Sequence, residues 1–375
     1  MSLKSKAYAR SLRKFLSALI LACLIPSVAF ATTTVVSVPP AAGGDGIQKA
    51  LDSLSKGGEV DLGEGTYVVH QPIILQRDGQ MLHGAGQKTV LYLADKANCP
   101  VVVLGSPVVR ASGPVTGLAV SDLLIDGNRK NQPVEMWRAF PEGCLYNNGI
   151  DVWNVDGANV AHVVCCRCRS GGLVSTARTR RLTVSDFTSF GNQFDGLACY
   201  STEDSHFSNL NLHDNLGAGI SLDLDFNHNI VDGAILSDND LGVFMRQSKN
   251  NTFAGMKINK SRHHGVFMAQ TVEGNHPMPG SECVGNSFEK LLVTNCGGRA
   301  FLVNDATCVS NSIVSSQFVA NAQGGLSEAL KKLVAVRDLE ELPTLNPASD
   351  HENLQSVPVM KQGPAQATPV SFKSL

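Results

Sequence analysis

A small residue followed by an apolar one recurs through the middle of this chain at a nearly constant interval. Gly149-Ile150, Gly172-Leu173, Gly196-Leu197, Gly219-Ile220, Gly242-Val243 and Gly265-Val266 follow one another at spacings of 23, 24, 23, 23 and 23 residues, and Ala300-Phe301 extends the series. A fixed period of this length means one small structural unit per repeat, each stacked on the last. Behind each glycine the chain alternates with period two. The first and third residues (Ile150/Val152, Leu173/Ser175, Leu197/Cys199, Ile220/Leu222, Val243/Met245, Val266/Met268 and Phe301/Val303) are mostly apolar, so they point inward from a strand. A second apolar site follows at Val160, Val184, Phe207, Ile230, Phe253 and Phe288, and a third at Val163/Cys165, Phe187/Ser189, Leu210/Leu212, Met256/Ile258 and Leu291/Val293. Polar turns such as Gly191-Asn192, Asp214-Asn215 and Asp238-Asn239 precede several of the glycines. Three short strands per repeat, one repeat per coil, make a parallel β-helix. The Leu-x-x-Leu-x-Leu frame of leucine-rich repeats is absent, and a propeller blade needs about 40–45 residues. Scarce aromatics, 6% of the chain, suit a core of Val, Ile and Leu in short strands.

Such a coil has two open ends that need covers. Asp45-Gly46-Ile47-Gln48 reads as a capping box. Ile47, Ala50, Leu51 and Leu54 then give an N-terminal helix one apolar face. At the far end, Leu330, Leu333 and Leu339 have roughly helical spacing, which predicts a second capping helix over 326–342. The β-helix domain itself spans 32–325, N-terminal cap included. The Pro-rich tail from 343 to 375 is expected to be extended or disordered.

Residues 1–31 have the three parts of an export signal. Lys4, Lys6, Arg10, Arg13 and Lys14 are followed by an apolar run from Phe15 to Ile25 and by Ala29-Phe30-Ala31. The run is shorter than the ~20 residues that span a bilayer, so the expectation is a cleaved signal and a periplasmic or secreted protein. Export permits disulfides, but nine of the ten cysteines lie beyond the signal, so at least one thiol is expected to be free. The group Cys165, Cys166 and Cys168 lacks zinc spacing. A net charge of -2 argues against nucleic acid as a partner.

The run Gly46-Ile47-Gln48-Lys49-Ala50-Leu51, then Gly57-Gly58-Glu59-Val60, Gly65-Thr66-Tyr67 and Leu82-His83-Gly84-Ala85-Gly86, resembles the opening of the pectate-lyase-like right-handed β-helix superfamily. Val120-Ser121-Asp122-Leu123-Leu124-Ile125-Asp126-Gly127-Asn128 is similar to a common early coil there. Gly242-Val243-Phe244-Met245 with Asn250-Asn251-Thr252-Phe253 also resembles periplasmic repeat proteins of the NosD type. The resemblance covers residues 42 to 323. It implies a right-handed, single-stranded parallel β-helix and a sugar chain lying in a groove along one strand face. It leaves the reaction open, because the superfamily holds lyases, hydrolases, epimerases and non-enzymes.

The groove face follows from the repeat. Outward residues are the second and fourth after each glycine, and the fourth positions form the column Trp153, Thr176, Tyr200, Asp223, Arg246, Ala269 and Asn304, with neighbours ~4.8 Å apart. Trp153 and Tyr200 are candidates for stacking on sugar rings. Asp195, His264 and Asn304 are candidates for binding at the groove edge. The insertions at 128–147 and 270–285 are candidate walls. Asp223, Asp225 and Arg246 are the catalytic candidates. Lyases of this resemblance use Ca2+-binding carboxylates and an Arg base, which makes Asp223 and Asp225 candidate Ca2+ ligands and favours a lyase on an acidic polysaccharide. A hydrolase with paired carboxylates among Asp195, Asp223 and Asp225 is the alternative, but the polygalacturonase motifs are absent as a set. So is the Asp-Pro-His-Asp signature of C5-epimerases. A non-catalytic polysaccharide-binding or assembly factor is the third reading. Arg178, Arg180 and Arg181 form a basic turn that reads as a solvated face.

Overall fold

Each glycine of the repeat opens a strand of one parallel sheet, and the reason is close approach. A Cβ on Gly242 would lie 2.3 Å from the carbonyl oxygen of Gly265 and 2.5 Å from Ile258 Cγ2, so only glycine lets the chain turn this tightly against the coil beside it. The computed structural model describes residues 33–106, 113–140, 143–273, 276–326, 331 and 333–342. The expected export signal at 1–31 and the Pro-rich tail at 343–375 lie outside the described residues.

Among the described residues the sheet has nine parallel strands: β1 (Ile73–Leu75), β2 (Val102–Gly105), β3 (Ile150–Trp153), β4 (Leu173–Thr176), β5 (Leu197–Tyr200), β6 (Ala218–Asp223), β7 (Leu241–Met245), β8 (Val266–Met268) and β9 (Phe301–Val303). Neighbours in sequence are neighbours in space. Val102, Ile150, Leu173, Leu197, Ile220, Val243, Val266 and Phe301 stack in register as one column, and all are buried. The other two faces of the coil carry their own columns. Val120, Val160, Val184, Phe207, Val231, Phe253, Phe288 and Ile313 form one. Ile125, Cys165, Ser189, Leu212, Leu236, Ile258, Val293 and Phe318 form the other. The expected three strands per repeat are there, with one slip: Val231, not Ile230, is inward, and Ile230 is exposed. The turn after Asp223 holds one residue more than the turn after Tyr200. Leu224 and Asp225 sit there with φ of +50° and +70°, and the extra residue shifts the following strand by one.

Buried amides tie the coils together. Asn192 donates to Asn215 (2.9 Å), and Asn215 to Asn239 (3.0 Å). On another corner Asn229, Asn251, Asn286 and Asn311 form a second ladder. Every described cysteine is a free thiol.

Helix α1 (Gly43–Ser53) covers the first coil, with Ile47, Ala50, Leu51 and Leu54 buried as expected. The capping box does not form. The helix starts earlier, after Ala42, with no side-chain cap. Gln48 instead pins the coil beneath, accepting from Ile74 N–H at 2.7 Å and donating to Asp52 at 3.0 Å. The far end differs too. Val334–Leu342, expected in the C-terminal helix over 326–342, is a strand pairing in parallel with Asn311–Val319. The open edge of the last coil offers a row of backbone partners, and that outweighs a weak helical spacing of leucines. Asp338, Glu340 and Glu341 then give the new edge a charged surface.

Candidate functional site

The outward residues of β3–β9 build one face. The second position after each glycine gives the column Asp151, Val174, Ala198, Ser221, Phe244, Phe267 and Leu302. The fourth gives Trp153 beside Thr176, then Tyr200 beside Asp223. Arg246, Ala269 and Asn304 continue it, each N–H bonding the previous coil, to Leu222, Met245 and Met268 respectively.

Four expected site residues come together at the middle of this face. Asp223, 3% exposed, receives the Arg246 guanidinium on Oδ2 and the Leu224 N–H on Oδ1, at 2.8 Å. Burial pushes its carboxyl up and Arg246 pulls it back. Tyr200 is half-buried on the coil before. Its phenol is raised by burial and by the nearby Asp195 and Asp223 carboxylates, while a Ser221 bond and Arg246 act against this. Asp195 reaches in from the edge of the sheet. Its Oδ1 accepts Ala218 N–H at 2.7 Å, and burial raises it to about 6, against opposing bonds from Ala218 and Ser221. The Ser221 hydroxyl therefore sits between Asp195 and Tyr200.

Next to this group lies an apolar shelf. The Phe244 and Phe267 rings stack at 5.8 Å between centroids, and the Arg246 guanidinium lies over Phe244 at 5.1 Å. His264 stands 6.0 Å from Phe267. Its Nδ1 accepts Arg299 N–H at 2.9 Å, which leaves the ring proton on Nε2, and burial lowers its pKa. Its neighbour His263 bonds Asp240 at 3.0 Å. The insertions flank the face. Met136–Phe140 and Gly143–Tyr146 form an antiparallel hairpin on one side. On the other, Ser281 O accepts Gln247 N–H at 3.0 Å and Gly280 O accepts Lys249 Nζ at 2.7 Å, beside Arg246.

Other expected residues lie elsewhere. Trp153 is 4% exposed and packs with Val103, Leu145 and Trp137 under the hairpin, so it offers no face to a ligand. Asp225 is exposed in the turn and bonds Gln247 at 3.1 Å, so it does not share the Asp223 face. Asn304 is exposed, three coils from Asp223, bonded to Asp305 at 3.1 Å. Asp223 and Asp225 do not fit Ca2+, which takes about 6–8 oxygens: both Asp223 oxygens are engaged, and Arg246 would repel a cation. The basic turn is partly neutralised, Arg180 by Asp204 at 2.9 Å and Arg181 by Asp156 at 2.7 Å. Ser221, Phe244 and Phe267 were missed by the sequence reading, although the second outward position of the same repeat names all three.

A family model described as a right handed beta helix region matches residues 171–331. The match agrees with the right-handed parallel β-helix seen here. Among solved structures, the mannuronan C-5 epimerase A-module of Azotobacter vinelandii is 16% identical with a TM-score of 0.56, over 80% of this chain and 91% of that one. The endo-xylogalacturonan hydrolase of Aspergillus tubingensis is 11% identical with a TM-score of 0.56, over 82% and 93%. The family 28 exopolygalacturonase of Yersinia enterocolitica is 12% identical with a TM-score of 0.51, over 82% and 76%. No curated protein matches the sequence.

Proposed function

We propose that this β-helix protein is exported by its N-terminal segment and cleaves a polysaccharide in the groove over β4–β8. The observation that carries the reading is Asp195. A carboxyl raised to about 6 sits beside Tyr200 and Ser221, one coil from the Asp223–Arg246 pair. A carboxyl still partly protonated near neutral pH is a general acid. In this reading Asp195 protonates the glycosidic oxygen, and the buried Asp223, held by Arg246, lends its negative charge to the cationic sugar that develops in the transition state. Phe244 and Phe267 stack on sugar rings, and His264 Nε2–H binds a hydroxyl. The named activities of the structural neighbours, on mannuronan, xylogalacturonan and polygalacturonate, agree with a polysaccharide as the partner.

A second reading, β-elimination on an acidic polysaccharide, is favoured by Arg246 alone, a cation on the groove face where a uronate carboxylate would need neutralising. A guanidinium is a permanent cation, and this one is spent on Asp223, so it supplies charge better than it takes a proton. Digestion of a panel of acidic and neutral polysaccharides separates the two. New reducing ends without new ultraviolet absorbance, abolished in Asp195→Asn, is the expected result. Ends with absorbance mean the lyase. Binding without either means that the groove only holds its ligand and the enzymatic reading is lost.

A further inference from the structure

Away from the groove, on the first coils, Glu59, Asp61 and His83 converge. Glu59 and Asp61 alternate outward from the strand Gly58–Leu62, with Val60 buried between them. Asp61 stands in register with His83 on the next coil. His83 Nδ1 lies 3.4 Å from Asp61 Oδ1 and 3.7 Å from Glu59 Oε1, and the donor atoms of all three lie within 4.8 Å of one another. The first of these separations is a hydrogen bond at the long end of the range and the second lies beyond it. They suit donors sharing one ion: tetrahedral ligands about 2.0–2.1 Å from zinc stand roughly 3.3 Å apart. A second observation points the same way. His83 Nε2 faces Asp122 Oδ2 at 3.6 Å, so the ring has carboxylates at Nδ1 and another behind it. A carboxylate on the far ring nitrogen is the kind of partner that orients a ligating imidazole, and Asp122 stands there just beyond hydrogen-bond distance. Asp122 is itself braced, with His162 Nδ1 at 3.3 Å from its Oδ1 and Asp186 at 3.4 Å from the far side of that ring.

We propose that Glu59, Asp61 and His83 bind a divalent transition-metal ion of the zinc class, with Asp122 orienting His83. One imidazole with two carboxylates selects such an ion over Mg2+ or Ca2+, which prefer all-oxygen shells. Both strands are held by buried neighbours, Val60, Leu62 and Leu82, so the ligands sit on a rigid base and the ion clips the first coil to the second.

The test is titration of the untagged full chain with zinc chloride alone, by calorimetry and by thermal melting, against magnesium and calcium chlorides. The expected result is one saturable equivalent of zinc that raises the melting temperature, lost in His83→Ala. Asp122→Asn should weaken it by about 10–100-fold while keeping the stoichiometry, as removal of an orienting partner does. His83 is partly exposed, so the variant should melt like the parent in chelator. Retention of the same equivalent and affinity in His83→Ala, or no saturable zinc binding by the parent, overturns the proposal. Neither outcome depends on any activity in the groove.

Discussion

Asp195 is where the physical chemistry of this face concentrates in one side chain. Its folded value of about 6 lies above the ordinary 3.8, so the folded chain holds its proton over a range where the unfolded chain has lost it. The stability this contributes is fully present below about pH 4 and is lost as pH rises through about 6. Asp195→Asn removes the titration and keeps an oxygen for Ala218 N–H. The variant should therefore gain on the parent as pH climbs from 4 to 7, by on the order of 1–3 kcal/mol. Paired melting curves across that range check this, and a pH-independent difference would show that Asp195 ionises as freely as an exposed acid. Asp195 was legible in the sequence because it precedes a repeat glycine, and Asp223 and Arg246 because they share one repeat position. Trp153 was misleading for a physical reason: the 128–147 insertion folds over it, and a repeat column carries no information about what an insertion covers.

At the scale of the element, the repeat names the strands, while the ladders between coils hold a burial cost in balance. Asn215 is fully buried. It accepts from Asn192 N–H at 3.2 Å and from the Asn192 amide at 2.9 Å, and its own amide donates to Asn239. Asn215→Ala would orphan the Asn192 N–H, take one of two partners from the Asn192 amide and one from Ser189 O, while Asn239 Oδ1 keeps the backbone N–H of residue 215. The expected loss is roughly 1–3 kcal/mol, whereas Gln317→Ala, at an exposed side chain of the strand Asn311–Val319, should change stability by less than about 0.5 kcal/mol. Urea unfolding of both variants decides it; equal losses would mean that the ladder is solvated in solution. The asparagines were visible as turn residues at intervals of 23 and 24. Their partners were not, because a buried amide ladder and an exposed Asn turn use the same residue. Ile230 failed for a related reason: one additional turn residue at Leu224–Asp225 reverses which of two adjacent aliphatic residues faces in, and alternation cannot see an insertion of one.

For the whole molecule the difficulty is the ends. A coil of parallel strands is closed along its length by neighbouring coils, but its first and last coils present unpaired backbone and an open core. The two ends are handled differently. The last coil is extended by the charged strand Val334–Leu342, and the first is covered by α1, whose Ile47 and Leu51 are fully buried against the strands Gly65–Val69 and Ile73–Leu75. Leu51→Asp places an unpaired charge under the helix, which costs several kcal/mol, yet breaks no contact between the central coils. Stability in stacked repeats is a sum of local and nearest-neighbour terms, so the damage should stay at that end: the helix lifts, the coil keeps its β circular dichroism, and the bared edge pairs with a second molecule. Light scattering should then rise with protein concentration below the melting temperature. Ile220→Asp, with the same charge buried at mid-coil, should instead lower the β signal itself, because it interrupts the column on both sides. If Leu51→Asp stays monomeric and melts like the parent, α1 is an ornament on a coil that is closed by other means.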